Sequence, residues 1–223
     1  MNKKALLKAG ALIVILVLPV LVFFFLRGFG ENQYALPILN PASADCPPNK
    51  IDSIHRVPSF SFLNQDSAIF TDRDLEGKIY VADFFFTRCP DICLAMSSEL
   101  ARVQEAIKNY PEVVILSHTV DPLYDRAHVL KAYAKQYGAI PGKWIFLTGD
   151  KAAIYHQARC GYFIATRPAS SDTTIDFIHS DKFVLVDKEK RIRGYYSGTR
   201  RQDVDRLITE IQVLLAEYKN KTQ

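Results

Sequence analysis

The run Lys78 to Thr87, KIYVADFFFT, constrains the fold more than any other stretch of this chain. It is short, almost wholly apolar and followed three residues on by Pro90 and then a helical pattern. A strand apolar on both faces must be covered on both, as helices do in an α/β sheet. The residues after it keep that rhythm. Leu100, Val103 and Ile107 recur at helical spacing, and Val113 to Thr119 reads as a second buried strand. Val129, Leu130, Tyr133 and Tyr137 mark a helix that Gly138 stops. Lys143 to Leu147 is a third strand, and Lys151 to about Gly161 a helix with Asp150 as its N-cap. Lys182 to Asp187 and Ile192 to Ser197 form a hairpin turning through Lys188 to Arg191. A closing helix introduced by Asp203 gathers Val204, Leu207, Ile208, Ile211, Leu214, Leu215 and Tyr218 on one face. Upstream, Phe60 to Phe70 adds a further hairpin. This order predicts an α/β sandwich around a mixed sheet.

The beginning of the chain is different in kind. Ala9 to Leu26 is apolar apart from Gly10 and Pro19. At 1.5 Å per residue that length is near the lower limit for crossing a bilayer core. Lys3, Lys4 and Lys8 precede the run and only Arg27 follows closely, so the positive-inside bias exports everything beyond it. A cleaved signal peptide is the competing reading, with Ala42-Ser43-Ala44 as its site, but that tripeptide lies far beyond the apolar run. No cysteine follows the run directly, as a lipoprotein would require. The expected organisation is a cytoplasmic tail at 1–8, a transmembrane anchor at 9–26, a Pro- and Asn-rich linker at 27–56 and one domain at 57–223. The expected address is a bacterial inner (cell) membrane, crossed once, with the domain on the periplasmic side. The net charge of +4 comes partly from the tail, and no basic block or arginine stripe exists, so nucleic acid is not an expected partner.

Cys89 and Cys93 stand where the central strand gives way to a helix, in Thr-Arg-Cys-Pro-Asp-Ile-Cys. Thr87, Cys89 or Asp91 is placed to cap that helix, and Pro90 suits its first turn. Thiols at a helix N-terminus face unpaired N–H groups and the positive end of the dipole, which favours thiolate. A spacing of four puts both sulfurs on one helix face, ready to close a disulfide or to share a soft metal ion. A scaffold disulfide is the plainer reading, but a staple gains most over a long loop and this loop is very short.

Five histidines are available as a third group. His55, His128 and His156 read as solvated or packed, and His118, after a buried strand, as a core or supporting residue. His179 precedes the terminal hairpin in Phe-Ile-His-Ser-Asp-Lys. Two thiolates and an imidazole make a soft, low-coordinate set suited to copper, Cu(I) above all, whereas structural zinc wants a fourth ligand.

With these residues in view the sequence resembles the Sco/SenC family of copper-binding, thioredoxin-like proteins of cytochrome c oxidase assembly. The resemblance runs from about Pro58 to the closing helix. It rests on Phe-Thr-Arg-Cys-Pro-Asp-Ile-Cys, Ser-His-Thr-Val-Asp-Pro, Phe-Leu-Thr-Gly-Asp and Ile-His-Ser-Asp-Lys-Phe. It implies a thioredoxin-like three-layer sandwich behind a single transmembrane helix, with Cys89, Cys93 and His179 as ligands of copper, Cu(I) or Cu(II). It matches Asp121 to a supporting aspartate. Leu94 stands where the family commonly has proline. Cys46 and Cys160 lie outside the family's core motif, and two readings stand for them: a disulfide between them, or a buried free thiol at Cys160.

The resemblance implies a metallochaperone that delivers copper to the dinuclear copper site of cytochrome c oxidase subunit II. A thioredoxin-like reductant or another copper chaperone would be a further partner. The alternative is a membrane-anchored thiol–disulfide oxidoreductase with Cys89 and Cys93 as its redox pair; the C-x3-C spacing departs from the usual C-x-x-C, and exchange has no need of His179. A peroxidase fits least, because Thr87 is only two residues before Cys89.

Overall fold

The computed structural model describes residues 3–29, 35–41, 46, 54–164 and 180–221. The chain divides into two compact units: residues 1–35 with 215–223, and Leu36–Leu214.

The first unit contains α1 (Lys3–Phe29), which carries Pro19 in its interior. The side chains described in it, Leu12 to Phe25, are exposed. Among the described residues no helix is long and apolar enough to cross a membrane.

The second unit is built on one mixed sheet of seven strands: β1 (Ser61–Asn64), β2 (Ile69–Thr71), β3 (Ile79–Phe85), β4 (Val113–Thr119), β5 (Trp144–Thr148), β6 (Lys182–Val186) and β7 (Ile192–Ser197). Their order is β2-β1-β5-β4-β3-β6-β7. β3, β4 and β5 are parallel neighbours, while β6 runs antiparallel to β3 and pairs with β7. Every residue of β3 and of β4 is buried, as their unbroken apolar runs require. The helices of this unit are α2 (Ile92–Ile107), α3 (Ala127–Gln136), α4 (Lys151–His156) and, as far as Leu214, α5 (Arg201–Lys221). Gly138, at φ +64°, ends the α3 turn in the left-handed region expected of a helix stop. Asp150 caps α4, its carboxylate accepting from Ala153 N at 2.8 Å. The helix expected to run on to Gly161 changes at Gln157 into a single π-turn, Gln157–Gly161.

Side chains alternate between the two faces of each strand, and the β3–β4 register pairs Asp83 with Ser117 and Phe84 with His118. One face carries Asp83, Phe85, Ser117 and Phe146 beneath α2 and α3, with Phe85 and Phe146 packed on Tyr133 of α3. The other carries Tyr80, Phe84 and His118 under α4 and the π-turn, with Tyr162 against all three rings.

The stretch read as a linker is laid against this domain wherever it is described. Arg193 donates to the carbonyls of Leu36 and Pro37, at 2.5 and 3.1 Å, and to Asp187 at 3.0 Å. Leu39 bridges to Ile192 on the outer edge of β7, so the strap extends the sheet by one rung. His55 donates its backbone N–H to Asn40 Oδ1 at 2.7 Å and pairs its ring Nε2 with the Gly161 carbonyl at 2.8 Å. Cys46 is bonded to Cys160 of the π-turn, with Cα atoms 5.4 Å apart. Prolines kept this segment from forming a helix, but an extended chain with free carbonyls is what an edge strand and a buried arginine can hold.

Candidate metal centre

Cys89 and Cys93 sit at the carboxyl edge of the parallel strands, where open α/β sheets place their ligands. Both thiols are free and buried. Cys93 belongs to the first turn of α2, whereas Cys89 precedes the helix, in a turn closed by its own N–H donating to the Phe86 carbonyl at 3.1 Å. The expectation of two sulfurs one helical turn apart is therefore corrected. The turn nonetheless keeps Cys89 near enough to Cys93 to act on its thiol.

The expectation of a ready thiolate is corrected for Cys93 as well. Burial pushes this thiol well above its ordinary range, and the hydrogen bond with Cys89 adds to the rise. The backbone N–H of Phe86 works against both without overcoming them. The helix dipole acts on a group that water does not reach, and loss of hydration dominates. Without a cation, Cys93 holds its proton.

The turn owes its shape to groups from the next strand. The N-cap of α2, Asp91, makes no side-chain capping bond. Instead Asp125, from the loop after β4, accepts from Thr87 N at 3.0 Å and from the Thr87 hydroxyl, and also from the Thr119 hydroxyl at 2.5 Å. Arg88, on the outer side of the same turn, donates to Asp121 at 2.6 Å and lies 4.0 Å from the centre of the Tyr124 ring. Thr87 thus serves the turn as a donor to Asp125 rather than as a helix cap. The sequence reading missed Asp125; its signal was the second carboxylate of Asp-Pro-Leu-Tyr-Asp directly after a buried strand.

The histidines sort cleanly. His128 and His156 are exposed, and His55 is engaged with the strap. His118 lies on the sheet face away from α2, stacked on Phe84 with ring centres 4.8 Å apart and edged by Phe60 and Phe62. Burial pushes its imidazole down to about 4, so it is neutral there. His179 lies outside the described residues. The first ones after it are firmly held: Asp181 accepts from the Ser197 hydroxyl and from Thr199 Oγ1, the latter at 3.1 Å. Because β6 is antiparallel to β3, its start lies at the same sheet edge as the cysteines.

Among the described residues no group of three or more His, Cys, Asp or Glu converges to hold a metal. What is assembled is a pair of neighbouring, buried sulfur donors. That donor chemistry fits a soft cation of low coordination number such as Cu(I), and falls two ligands short of structural zinc.

A mixed sheet with a thiol pair at the β3–α2 junction defines a thioredoxin-like domain built around two cysteines. Residues 49–216 match the family model described as SCO1/SenC, and the chain belongs to that family. The "SCO1 protein homolog" of Bacillus subtilis (strain 168) is 29% identical over 195 residues, covering 86% of this chain and 92% of that protein. The fold is shared with BsSco, a member of the Sco family of cytochrome c oxidase assembly proteins in which a disulfide switch has been identified. It is 29% identical with a TM-score of 0.62, covering 72% of this chain and 94% of that one. The copper-bound ScoI of Arabidopsis thaliana is 28% identical with a TM-score of 0.59, covering 74% of this chain and all of that one (100%).

Proposed function

We propose that the domain is a copper carrier, binding the metal through Cys89, Cys93 and His179 and passing it to the dinuclear copper site of cytochrome c oxidase subunit II. The observation that carries this reading is the closeness of two free, buried thiols at the sheet's carboxyl edge, in a chain of a family with copper-bound members. Copper would supply the positive charge that displaces the two thiol protons, and thiolate ligation would offset the cost of burying that charge. The protein's part is to hold both sulfurs on one side of a rigid sheet edge and to keep water away from them. His179 enters because it stands three residues before β6, the strand that starts at that same edge. Asp121, gripping Arg88, is a supporting residue on the rim and not a ligand. The apolar run Ala9 to Leu26 within α1, with three lysines ahead of it, is read as the anchor, a single pass that leaves the domain on the periplasmic side of a bacterial inner membrane.

The test is anaerobic copper titration of the reduced protein beside the same titration of His179→Ala. One ion per chain, lost or strongly weakened in the variant, is the expected result; equal affinity in the two removes His179 from the site.

A second reading has its own observation in support. Two free thiols already neighbouring can close a disulfide with little movement, so Cys89 and Cys93 can act as a redox pair. A protein that binds no copper yet equilibrates with dithiothreitol through these two cysteines would favour the oxidoreductase over the carrier.

A further inference from the structure

The turn that presents Cys89 is not held by the helix it introduces. Asp91 at the head of α2 makes no capping bond. Pro90 has no N–H to contribute. What fixes the turn comes from 38 residues away: buried Asp125, whose two oxygens take the Thr87 N–H, the Thr87 hydroxyl and the Thr119 hydroxyl. Thr119 in turn accepts from Asp121 N at 3.0 Å, and Asp125 N donates to Asp121 O at 2.8 Å, so the loop that supplies Asp125 is itself closed. The carboxylate therefore ties Thr87, two residues past the end of β3 and two before the first cysteine, to Thr119, the last residue of β4.

The geometry points to Asp125, acting through Thr87, as the positioning residue that sets where the Cys89 sulfur stands relative to Cys93. It deepens the copper-carrier reading, on which one arm of its test rests, and names a residue outside the three proposed ligands. The physical argument is one of degrees of freedom. Cys93 is fixed by α2, whose core-facing residues Met96, Leu100, Val103 and Ile107 are fully buried. Cys89 is fixed only by its turn. A cation needs both sulfurs at bonding distance at once, and a disulfide needs them closer still, so freedom at Cys89 is paid in affinity in one case and in equilibrium constant in the other. The Thr87 hydroxyl is the part of the clamp that can be removed with least disturbance, because valine keeps its shape and leaves the backbone bond to Asp125 in place.

The experiment uses the full chain in detergent with Thr87→Val, Thr87→Ser, Asp125→Asn and wild type. Two measurements are made on each: Cu(I) affinity by competition with a chromophoric chelator, and the equilibrium constant of the Cys89–Cys93 disulfide against dithiothreitol. Thermal unfolding, with the Cys46–Cys160 bond intact, verifies that each variant is folded. Thr87→Val is expected to bind Cu(I) about tenfold more weakly, the scale of one hydrogen bond of ordinary worth, and to shift the disulfide equilibrium by a similar factor. Thr87→Ser, which restores the hydroxyl, is expected to return both values to wild type, a rescue that mere packing at this position would not produce. Wild-type values of both quantities in folded Thr87→Val overturn the proposal, whether or not Asp125→Asn folds. Should the wild type bind no Cu(I), the carrier reading fails, while the disulfide equilibrium still decides for or against Asp125.

Discussion

Ser117 donates its hydroxyl hydrogen to Oδ1 of Asp83 at 2.5 Å, across the parallel β3–β4 pair, and both side chains are buried. Trp144 completes the line from β5, its ring N–H donating to Ser117 Oγ at 2.8 Å. Three adjacent strands are thus joined by side chains under α2, and among the described residues no cation stands beside the carboxyl at the end of the line. Burial pushes Asp83 up to about 7 despite the Ser117 bond.

Asp83 and His118 make opposite demands on pH. An unfolded Asp83 ionises near 3.8 and the folded one near 7, so the native state binds the extra proton between those values and stability falls as pH rises through them, by at most about 4 kcal/mol. For His118 the unfolded value is 6.5 and the folded one about 4, so stability falls as pH drops through that window, by at most about 3 kcal/mol. The two nearly cancel. Relative to wild type, Asp83→Asn is expected to lose stability on acidification from pH 6.5 to 4.5, and His118→Phe to gain it. Urea unfolding at several pH values reads this out; two variants with the wild-type profile would show that neither group titrates as described.

His118→Phe has a second expected effect at neutral pH. Among the described residues the Nε2 atom of His118 has no hydrogen-bond partner and is surrounded by rings, while Nδ1 makes only a long bond, 3.3 Å, to the Asp83 carbonyl. An apolar ring of similar shape removes a buried unsatisfied polar atom, so stability at pH 7.5 should hold or rise by ~1 kcal/mol. A large loss would show that a group not seen here satisfies that nitrogen.

Arg193 and Asp187 form an ion pair almost wholly out of water, with side-chain exposures of 1% and 0%. Arg193→Met removes one of two guanidinium partners of buried Asp187, Arg191 being the other, and also releases the Leu36 and Pro37 carbonyls. A loss of about 3–5 kcal/mol in unfolding free energy is expected, with the strap becoming open to limited proteolysis near Leu36. Asp187→Asn should cost less than Arg193→Met, because the strap keeps its guanidinium. Equal losses would mean that the strap contributes nothing.

The Cys46–Cys160 disulfide closes a separation of 114 residues. Constraint of so long a loop predicts a loss of about 2–5 kcal/mol when both cysteines are replaced by serine, read as a lower denaturant midpoint. Mass spectrometry of the unreduced, alkylated wild type should find these two cysteines protected and Cys89 and Cys93 modified once the chain is unfolded. Free Cys46 in that sample would contradict the bond.

What the sequence disclosed followed the range of the physics involved. Local signals read well: the Asp150 cap, the stop at Gly138 and the two-sided strands β3 and β4 each depend on neighbours a few residues away. The cysteine pair was conspicuous for the same reason. Asp125 escaped because its partner Thr87 is 38 residues distant and nothing in Asp-Pro-Leu-Tyr-Asp says which strand lies alongside. The strap escaped because its seat, Arg193, is more than 150 residues further on. Cys93's raised thiol was misread because helix position is visible in a sequence and burial of one particular sulfur is not.

The strap has a consequence for the order in which the molecule can be made. A ribosome delivers Leu36 and Pro37 early, but the guanidinium that clasps their carbonyls, and the strand edge that pairs with Leu39, arrive only when β7 has been synthesised. Until then those carbonyls have water or a chaperone for company. Closing the domain therefore waits on its late residues, and contacts of such sequence separation are slow to form. A pulse of protease during synthesis should cut near Leu36 long after the central strands have become resistant.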